Sequence, residues 1–378
     1  MQNFIISNGI IFRYDFKFHK GDLYISNGKI TGTIPNDAKI INAEDLYIIP
    51  GLVDIHFHGC MGRDFCDGTQ ESFKIISDYQ RCSGITSMCP ATMTLPEKFL
   101  INIMAEAKKF HENFPNLAGI FLEGPFISQS KKGAQNSKYI IKPNADILKN
   151  LNDASGGLIK IAALAPEVEG AFDFIEASKK ITKISLAHTA CDYETAKKAF
   201  KAGISHVTHM YNAMNPVNHR APGPVTAALE NENVSVELIC DGVHVHPAIV
   251  RNTIKIFGDD RVIFVSDSME ATGMPDGIYE LGGQKVVKKG NKALLDDSVT
   301  IAGSVTNLAG CMRTAVKEMN VPLESAVKCC TINPAKAIGI EKFCASLQPD
   351  KYADIIALDK DLNLIFVMDR YGFLLNKN

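Results

Sequence analysis

Histidines and carboxylates that could hold a cation recur along this chain at the ends of short apolar runs. Leu52–Phe57 leads into His56-Phe57-His58, and Ala118–Leu122 ends at Glu123, within Leu122-Glu123-Gly124-Pro125-Phe126. Lys183–Ala187 is followed by His188 and Ser205–Thr208 by His209. Val234–Cys240 runs into Asp241-Gly242-Val243-His244, and Arg261–Ser266 into Asp267. Imidazole and carboxylate without thiolate suit a hard-to-borderline divalent cation such as Zn²⁺ or Fe²⁺, and the chemistry such a cation supports is hydrolysis. In His56-Phe57-His58, strand alternation turns both imidazoles to one side. Glu123, directly after Gly119-Ile120-Phe121-Leu122, is a nearly buried carboxylate, which is costly unless paired or bound to metal. A lone histidine at a strand end is more often a hydrogen-bonded core residue or a helix cap, so convergence of the whole set on one rim is what marks a cation site. His19, His111, His206, His219 and His246 read as surface, loop or supporting residues. His206 stands three before His209 and so faces the opposite way on its strand.

Side chains so far apart in sequence meet only if their strands are parallel and end on one face. Between residues 51 and 345 the pattern supplies this. Ile85–Cys89 and Lys160–Leu164 complete a series of eight apolar runs, separated by helical stretches such as Glu97–Glu112, Ala171–Lys179, Asp192–Lys201 and Pro247–Phe257. Eight strands alternating with helices predict an α/β fold, a closed (β/α)₈ barrel of the TIM type, whose βα loops build the active site on one rim. After the eighth run, residues 276–297 predict a β-hairpin insertion, and Asn307–Met319 and Leu323–Cys330 predict further helices. Both ends of the chain read differently. Phe4–Phe12, Asp22–Ser26 and Lys29–Thr33 at the start, like Ala353–Leu358 and Leu364–Met368 at the end, are short strands broken by turns at Asn27-Gly28 and Asp359-Lys360-Asp361. Neither end can bury both faces of a sheet alone, so residues 1–50 and 346–378 are expected to form one small β-sandwich domain together.

Composition narrows the functional field. Among 378 residues, 46% are hydrophobic and 22% charged, with a net charge of −2, which offers no basic field for nucleic acid. The start, Met1-Gln2-Asn3-Phe4, reads as no secretory leader, and the apolar runs fall short of the roughly 20 residues a membrane helix needs. The 10 cysteines are scattered without a C-x-x-C pair, which predicts reduced thiols and a cytoplasmic protein. No G-x-G-x-x-G, His-Glu-x-x-His or Gly-Lys-Ser/Thr motif is present.

Taken in order, the motifs resemble the N-acetylglucosamine-6-phosphate deacetylase family of the amidohydrolase superfamily. The resemblance begins at Pro50-Gly51-Leu52-Val53-Asp54-Ile55-His56-Phe57-His58-Gly59 and Leu122-Glu123-Gly124-Pro125-Phe126, and passes through Ala187-His188-Thr189. It continues at Thr208-His209-Met210-Tyr211-Asn212-Ala213-Met214, Asp241-Gly242-Val243-His244-Val245, Val265-Ser266-Asp267 and Ile301-Ala302-Gly303-Ser304. The first motif marks only the superfamily. The tract through Tyr211-Asn212-Ala213-Met214, with Asp241-Gly242-Val243-His244, is more specific to sugar-phosphate deacetylases.

The resemblance implies a metal-dependent hydrolysis of the N-acetyl group of N-acetyl-D-glucosamine 6-phosphate. It implies that Glu123, His188 and His209 hold one divalent cation, and that His56 and His58, with Asp267 and a bridging Glu123, hold a second. Zn²⁺ leads, with Fe²⁺, Mn²⁺ or Co²⁺ as alternatives, and the count of one or two stays open. Asp267 is then the general base that takes a proton from the attacking water and passes it to the leaving amine. Asn212, Ala213 and Arg220 match positions that bind the sugar phosphate. Ala134, Gln135, Asp241, His244, Ile301, Ala302 and Gly303 complete the implied substrate-binding set, with His244 assisting at the acetyl carbonyl. His244 and Arg220 are implied to reach across from a neighbouring subunit, which makes the expected assembly a homodimer. One departure stands out: the family commonly has histidine after Lys131-Lys132-Gly133-Ala134, where this chain has Gln135. That leaves the galactosamine epimer open as an alternative substrate, and an amidohydrolase of another amide as a further one. A catalytically dead barrel fits less well, because every implied ligand and the base are retained.

Overall fold

The computed structural model describes residues 2–376. Met1, Lys377 and Asn378, which the sequence assigns to the terminal β-domain, lie outside the described residues. Eight parallel strands carry the central barrel: β1 (Leu52–Asp54), β2 (Ile85–Met88), β3 (Ile120–Leu122), β4 (Ile159–Leu164), β5 (Lys183–Leu186), β6 (His206–Val207), β7 (Ser235–Ile239) and β8 (Val262–Val265). Hydrogen bonding runs in order from β3 to β8, and β1 pairs with β2. Parallel bridges at Met88–Leu117 and Ala91–Phe121 join β2 to β3. Just past their ends β8 and β1 are tied by Asp267 N donating to His56 O at 2.9 Å and His58 N to Ser268 O at 2.7 Å. These bonds close the barrel.

A parallel strand walled by helices is buried on both faces, which is why these segments read as unbroken apolar runs. Phe121, Ile161, Ala163, Ile239, Ile263 and Val265 form one buried cluster. Their neighbours along the strands, Leu122, Ala162, Leu238 and Phe264, belong to a second cluster with helix residues such as Ile103, Phe174, Ala199 and Val250. A helix follows every strand: Gln70–Cys82, Glu97–Asn113, Ala145–Ala154, Ala171–Ser178, Tyr193–Ala202, Gly223–Leu229, Pro247–Phe257 and Leu308–Lys317. Each connection returns the chain to the same end, so all eight carboxyl ends share one rim.

The two ends of the chain meet in a single mixed sheet of eight strands. Tyr47–Pro50, running antiparallel to Ile355–Leu358, joins the N-terminal strands to the C-terminal ones. Ile6, Ile11, Leu23, Ile48, Ile355 and Phe366 pack into its own core. The expected hairpin over 276–297 is instead a three-stranded antiparallel meander: Gly277–Leu281, Gln284–Lys289 and Lys292–Leu295. The chain turns twice, at Gly282-Gly283 and at Gly290, all three glycines having positive φ. The second turn makes the third strand.

Candidate metal centre and active site

His56, Glu123, His188, His209 and Asp267 stand one or two residues past the strand ends, where the backbone curls over the rim, and His58 and His244 follow in the loops beyond. His188, His209 and Asp267 adopt φ of 44°, 26° and 48°. Left-handed backbone at a non-glycine residue costs about 1–3 kcal/mol and persists where the surroundings over-determine it, as at functional sites. Gly124 follows Glu123 at φ 84°, and a Cβ there would collide with Thr94 Oγ1. Its missing side chain lets this turn lie against the loop after β2.

The rings gather around Glu123. His188 Nδ1 lies 2.9 Å from the Lys131 carbonyl oxygen, so Nδ1 donates there and Nε2 points into the cluster. That nitrogen meets Glu123 Oε1 at 3.0 Å and His209 Nε2 at 3.1 Å, and His209 Nε2 lies 3.0 Å from the same oxygen. On the other side, His56 Nδ1 donates to Glu237 Oε2 at 2.8 Å, which turns Nε2 toward Glu123 Oε1 at 3.4 Å and Asp267 Oδ1 at 3.8 Å. His58 Nε2 lies 3.2 Å from Glu123 Oε2 and 3.3 Å from Asp267 Oδ1. Carboxylates and ring nitrogens packed at such distances call for positive charge among them. His56 Nε2, His58 Nδ1 and His209 Nδ1 are buried with no hydrogen-bond partner. Two donor groups result, Glu123-His188-His209 and His56-His58-Glu123, each with its ligand atoms within 4.8 Å of one another. Both fit a divalent cation, and the Glu237–His56 bond has the carboxylate–histidine form that fixes a metal-binding tautomer.

Charge follows the neighbours rather than burial. Burial alone would lower the His58 pKa, but Asp267 and Glu123 hold it up at about 10. Burial likewise opposes charge on His56, and Glu237 and Glu123 keep its pKa well above the ordinary value. Burial pushes the Glu123 carboxyl up, and His56, His188 and His209 overcome this and hold it well below the usual range. Asp267 is held low in the same way, against burial, by His58 and His56. The carboxylates stay ionised and the centre of the site favours positive charge.

Two supporting carboxylates were not anticipated from the sequence. Glu237, in the middle of β7 and fully buried, accepts the His56 Nδ1 proton and also the His209 backbone N–H at 2.9 Å. A glutamate in the otherwise apolar run Val234–Cys240 was the available signal. Asp54 takes the Ser266 hydroxyl at 2.5 Å and the His56 N–H at 3.3 Å, and burial pushes its pKa up to about 7. His206 is a buried supporting residue, its Nδ1 3.0 Å from Ser185 Oγ, and burial lowers its pKa to about 4.

A cleft of about 290 Å³ opens over this cluster, floored by His58, Glu123, His188, His209 and Asp267. Ala134, Gln135, Asn212, Ala213, His244, Ile301 and Gly303 line its walls. Met93, Leu281 and Thr300 line it too, though nothing in their sequence context singled them out. His56 lies beneath the floor and Ala302 is fully buried. Asp241 stands behind His244, taking its Nδ1 proton at 2.7 Å and the Val243 and His244 backbone N–H groups at 2.9 Å each.

Two expectations need correction. His244 faces the cleft of its own chain rather than reaching across an interface, because Asp241 holds its ring there. The Gln135 amide is not free for a sugar hydroxyl, since Thr94 N and Glu123 Oε2 engage both its ends. Arg220 is exposed and lines a separate cleft with Tyr193, Asn215 and Pro222.

Comparison with known proteins places this geometry. A model of the amidohydrolase family matches residues 47–373. The chain is 34% identical over 363 residues to an N-acetylglucosamine-6-phosphate deacetylase of Bacillus subtilis, covering 93% of this chain and 91% of that protein. It is 30% identical over 349 residues to an N-acetylgalactosamine-6-phosphate deacetylase of Escherichia coli O157:H7, covering 90% and 91%. Among solved structures, an aspartate-to-alanine variant of the Mycobacterium smegmatis N-acetyl-D-glucosamine-6-phosphate deacetylase, in complex with N-acetyl-D-glucosamine-6-phosphate, superposes with a TM-score of 0.94 at 29% identity, covering 100% of each chain. The Pasteurella multocida N-acetylglucosamine-6-phosphate deacetylase gives 0.92 at 26% identity over 97% of this chain and 98% of that one.

Proposed function

The chain belongs to the amidohydrolase family, and from that premise we propose that it hydrolyses N-acetyl-D-glucosamine 6-phosphate to D-glucosamine 6-phosphate and acetate. The observation that carries this is the meeting of His188 Nε2, His209 Nε2 and Glu123 Oε1 at 3.0–3.1 Å, beside a carboxylate, Asp267, open to the same cleft. Glu123, His188 and His209 would hold the first divalent cation, and His56, His58 and Asp267, with Glu123, would offer a place for a second. Bound there, a cation such as Zn²⁺ polarises the acetyl carbonyl and brings the pKa of water toward neutrality; Fe²⁺, Mn²⁺ and Co²⁺ suit the same donors.

The protein's own groups do the rest. Asp267, kept ionised by His58 and His56, accepts the proton of the attacking water and delivers it to the departing nitrogen. Its neighbour His58 sets where that carboxylate points. His244 lines the cleft with a raised pKa, because Asp241 outweighs burial and favours the protonated, hydrogen-bond-donating form of the ring. Asn212 and Ala213, on the turn after β6, lie against the sugar, with Ala134 and Ile301-Gly303 on the facing walls. The cysteines are all free, as suits a reducing cytoplasm. The galactosamine 6-phosphate epimer is the second reading, favoured by the Escherichia coli relative.

Arg220 completes the site from a second copy of the chain, since it lies outside its own cleft and exposes its guanidinium. A two-pronged contact with the 6-phosphate is worth about 1.5–3 kcal/mol, or roughly ten- to a hundredfold. Arg220→Ala is therefore expected to lower kcat/KM for the phosphorylated sugar by that factor. Turnover of unphosphorylated N-acetylglucosamine should scarcely change. Equal losses on both substrates would assign Arg220 to the fold or the dimer instead.

A further inference from the structure

Gln135 is fully buried beside the candidate cation site, although the mechanism above gives it no task. Its side chain is 2% exposed and every polar atom is engaged. Oε1 accepts the Thr94 backbone N–H at 2.7 Å, and Nε2 donates to Glu123 Oε2 at 2.9 Å while lying 3.7 Å from Met93 Sδ. Thr94 N can only donate, so the amide has one orientation, and its N–H must face the carboxylate. The loop that carries it is pinned from outside by Gln284, whose amide donates to Ala134 O.

The two oxygens of Glu123 are therefore unlike. Oε1 faces only ring nitrogens, His188 and His209 Nε2 at 3.0 Å and His56 Nε2 at 3.4 Å, and no amide engages it. Oε2 faces His58 at 3.2 Å but already accepts the amide proton. A cation held by His58 and Oε2 shares that oxygen with Gln135, and a cation held by His188, His209 and Oε1 does not.

We propose that Gln135 is a positioning residue that makes the two cation sites unequal: it caps Glu123 Oε2, aims Oε1 at the His188–His209 pair, and leaves the His56–His58 place the weaker. This rests on the cation-site reading above. It also means that the residue governs metal stoichiometry rather than recognition of a sugar hydroxyl.

The test is a Co²⁺ titration of the metal-free full chain, followed by visible absorbance and by bound-metal analysis. The wild type should bind one Co²⁺ tightly and a second more weakly. Gln135→Met fills the space without a donor. Gln135→Asn, one methylene shorter, keeps an amide for Thr94 but cannot also reach Glu123. Removing a charge-assisted hydrogen bond should narrow the gap between the two stepwise affinities by about tenfold or more in both variants. A merely structural role would lower thermal stability and leave that ratio alone. An unchanged ratio in both folded variants, or equal affinities already in the wild type, overturns the proposal while the cation sites stand. A wild type that binds no Co²⁺ overturns the cation-site reading itself, and the proposal with it.

Discussion

Asp267→Asn is expected to keep the fold and to lose roughly a hundred- to ten-thousandfold in kcat, the usual share of a positioned proton carrier. The backbone tolerates the change. Asp267 sits at φ 48°, a left-handed conformation that asparagine adopts more readily than most residues. Its N–H and C=O remain bonded to His56 O and Ser304 N. The amide oxygen can still face His58, but an amide neither takes a proton from water nor returns one to a departing amine. Steady-state acetate release, alongside circular dichroism of the purified variant, checks this. Turnover near the wild-type rate in a folded Asp267→Asn protein would remove Asp267 from the reaction.

The metal content of two variants should separate the two donor groups. His188→Ala deletes one of the three ligands of the Glu123-His188-His209 group, and bound metal should fall toward zero. The double variant His56→Ala/His58→Ala leaves Glu123, His188 and His209 intact and should retain about one ion per chain, by the same reckoning of ligand sets. Elemental analysis after exhaustive dialysis reads both. A metal-free double variant would mean that the primary site lies with His56 and His58. Because Glu237 also holds the His209 backbone, the double variant should be checked for thermal stability before its metal content is read.

Much of this arrangement was legible in the order of residues, for a physical reason. Barrel strands are short, apolar and buried on both faces, so Lys183–Ala187 or Val234–Cys240 stands out without any knowledge of its partners. At six of the eight runs an ionisable residue marks the end. What stayed hidden depends on contacts between distant segments. Glu237 supports His56 across 181 residues of sequence, and nothing adjacent to either reports the bond. Gln135 could be read as a sugar ligand until Thr94 and Glu123 were seen to hold both ends of its amide. His244 was assigned to a neighbouring copy for want of the Asp241 bond that fixes it at home. The third strand of the meander, Lys292–Leu295, follows from a second glycine turn that is easily read as the end of a hairpin.

The central claim is a cation-dependent release of acetate from a phosphorylated amino sugar, and one measurement reaches it directly. Purified protein is given N-acetyl-D-glucosamine 6-phosphate and, in parallel, its galactosamine epimer. Acetate is followed before chelation, after removal of metal, and after Zn²⁺ is restored. Stoichiometric acetate and D-glucosamine 6-phosphate are expected, falling to background without metal and returning with it, with the gluco epimer preferred. Undiminished release by metal-free protein, or no acetate from either epimer with metal restored, would contradict the account.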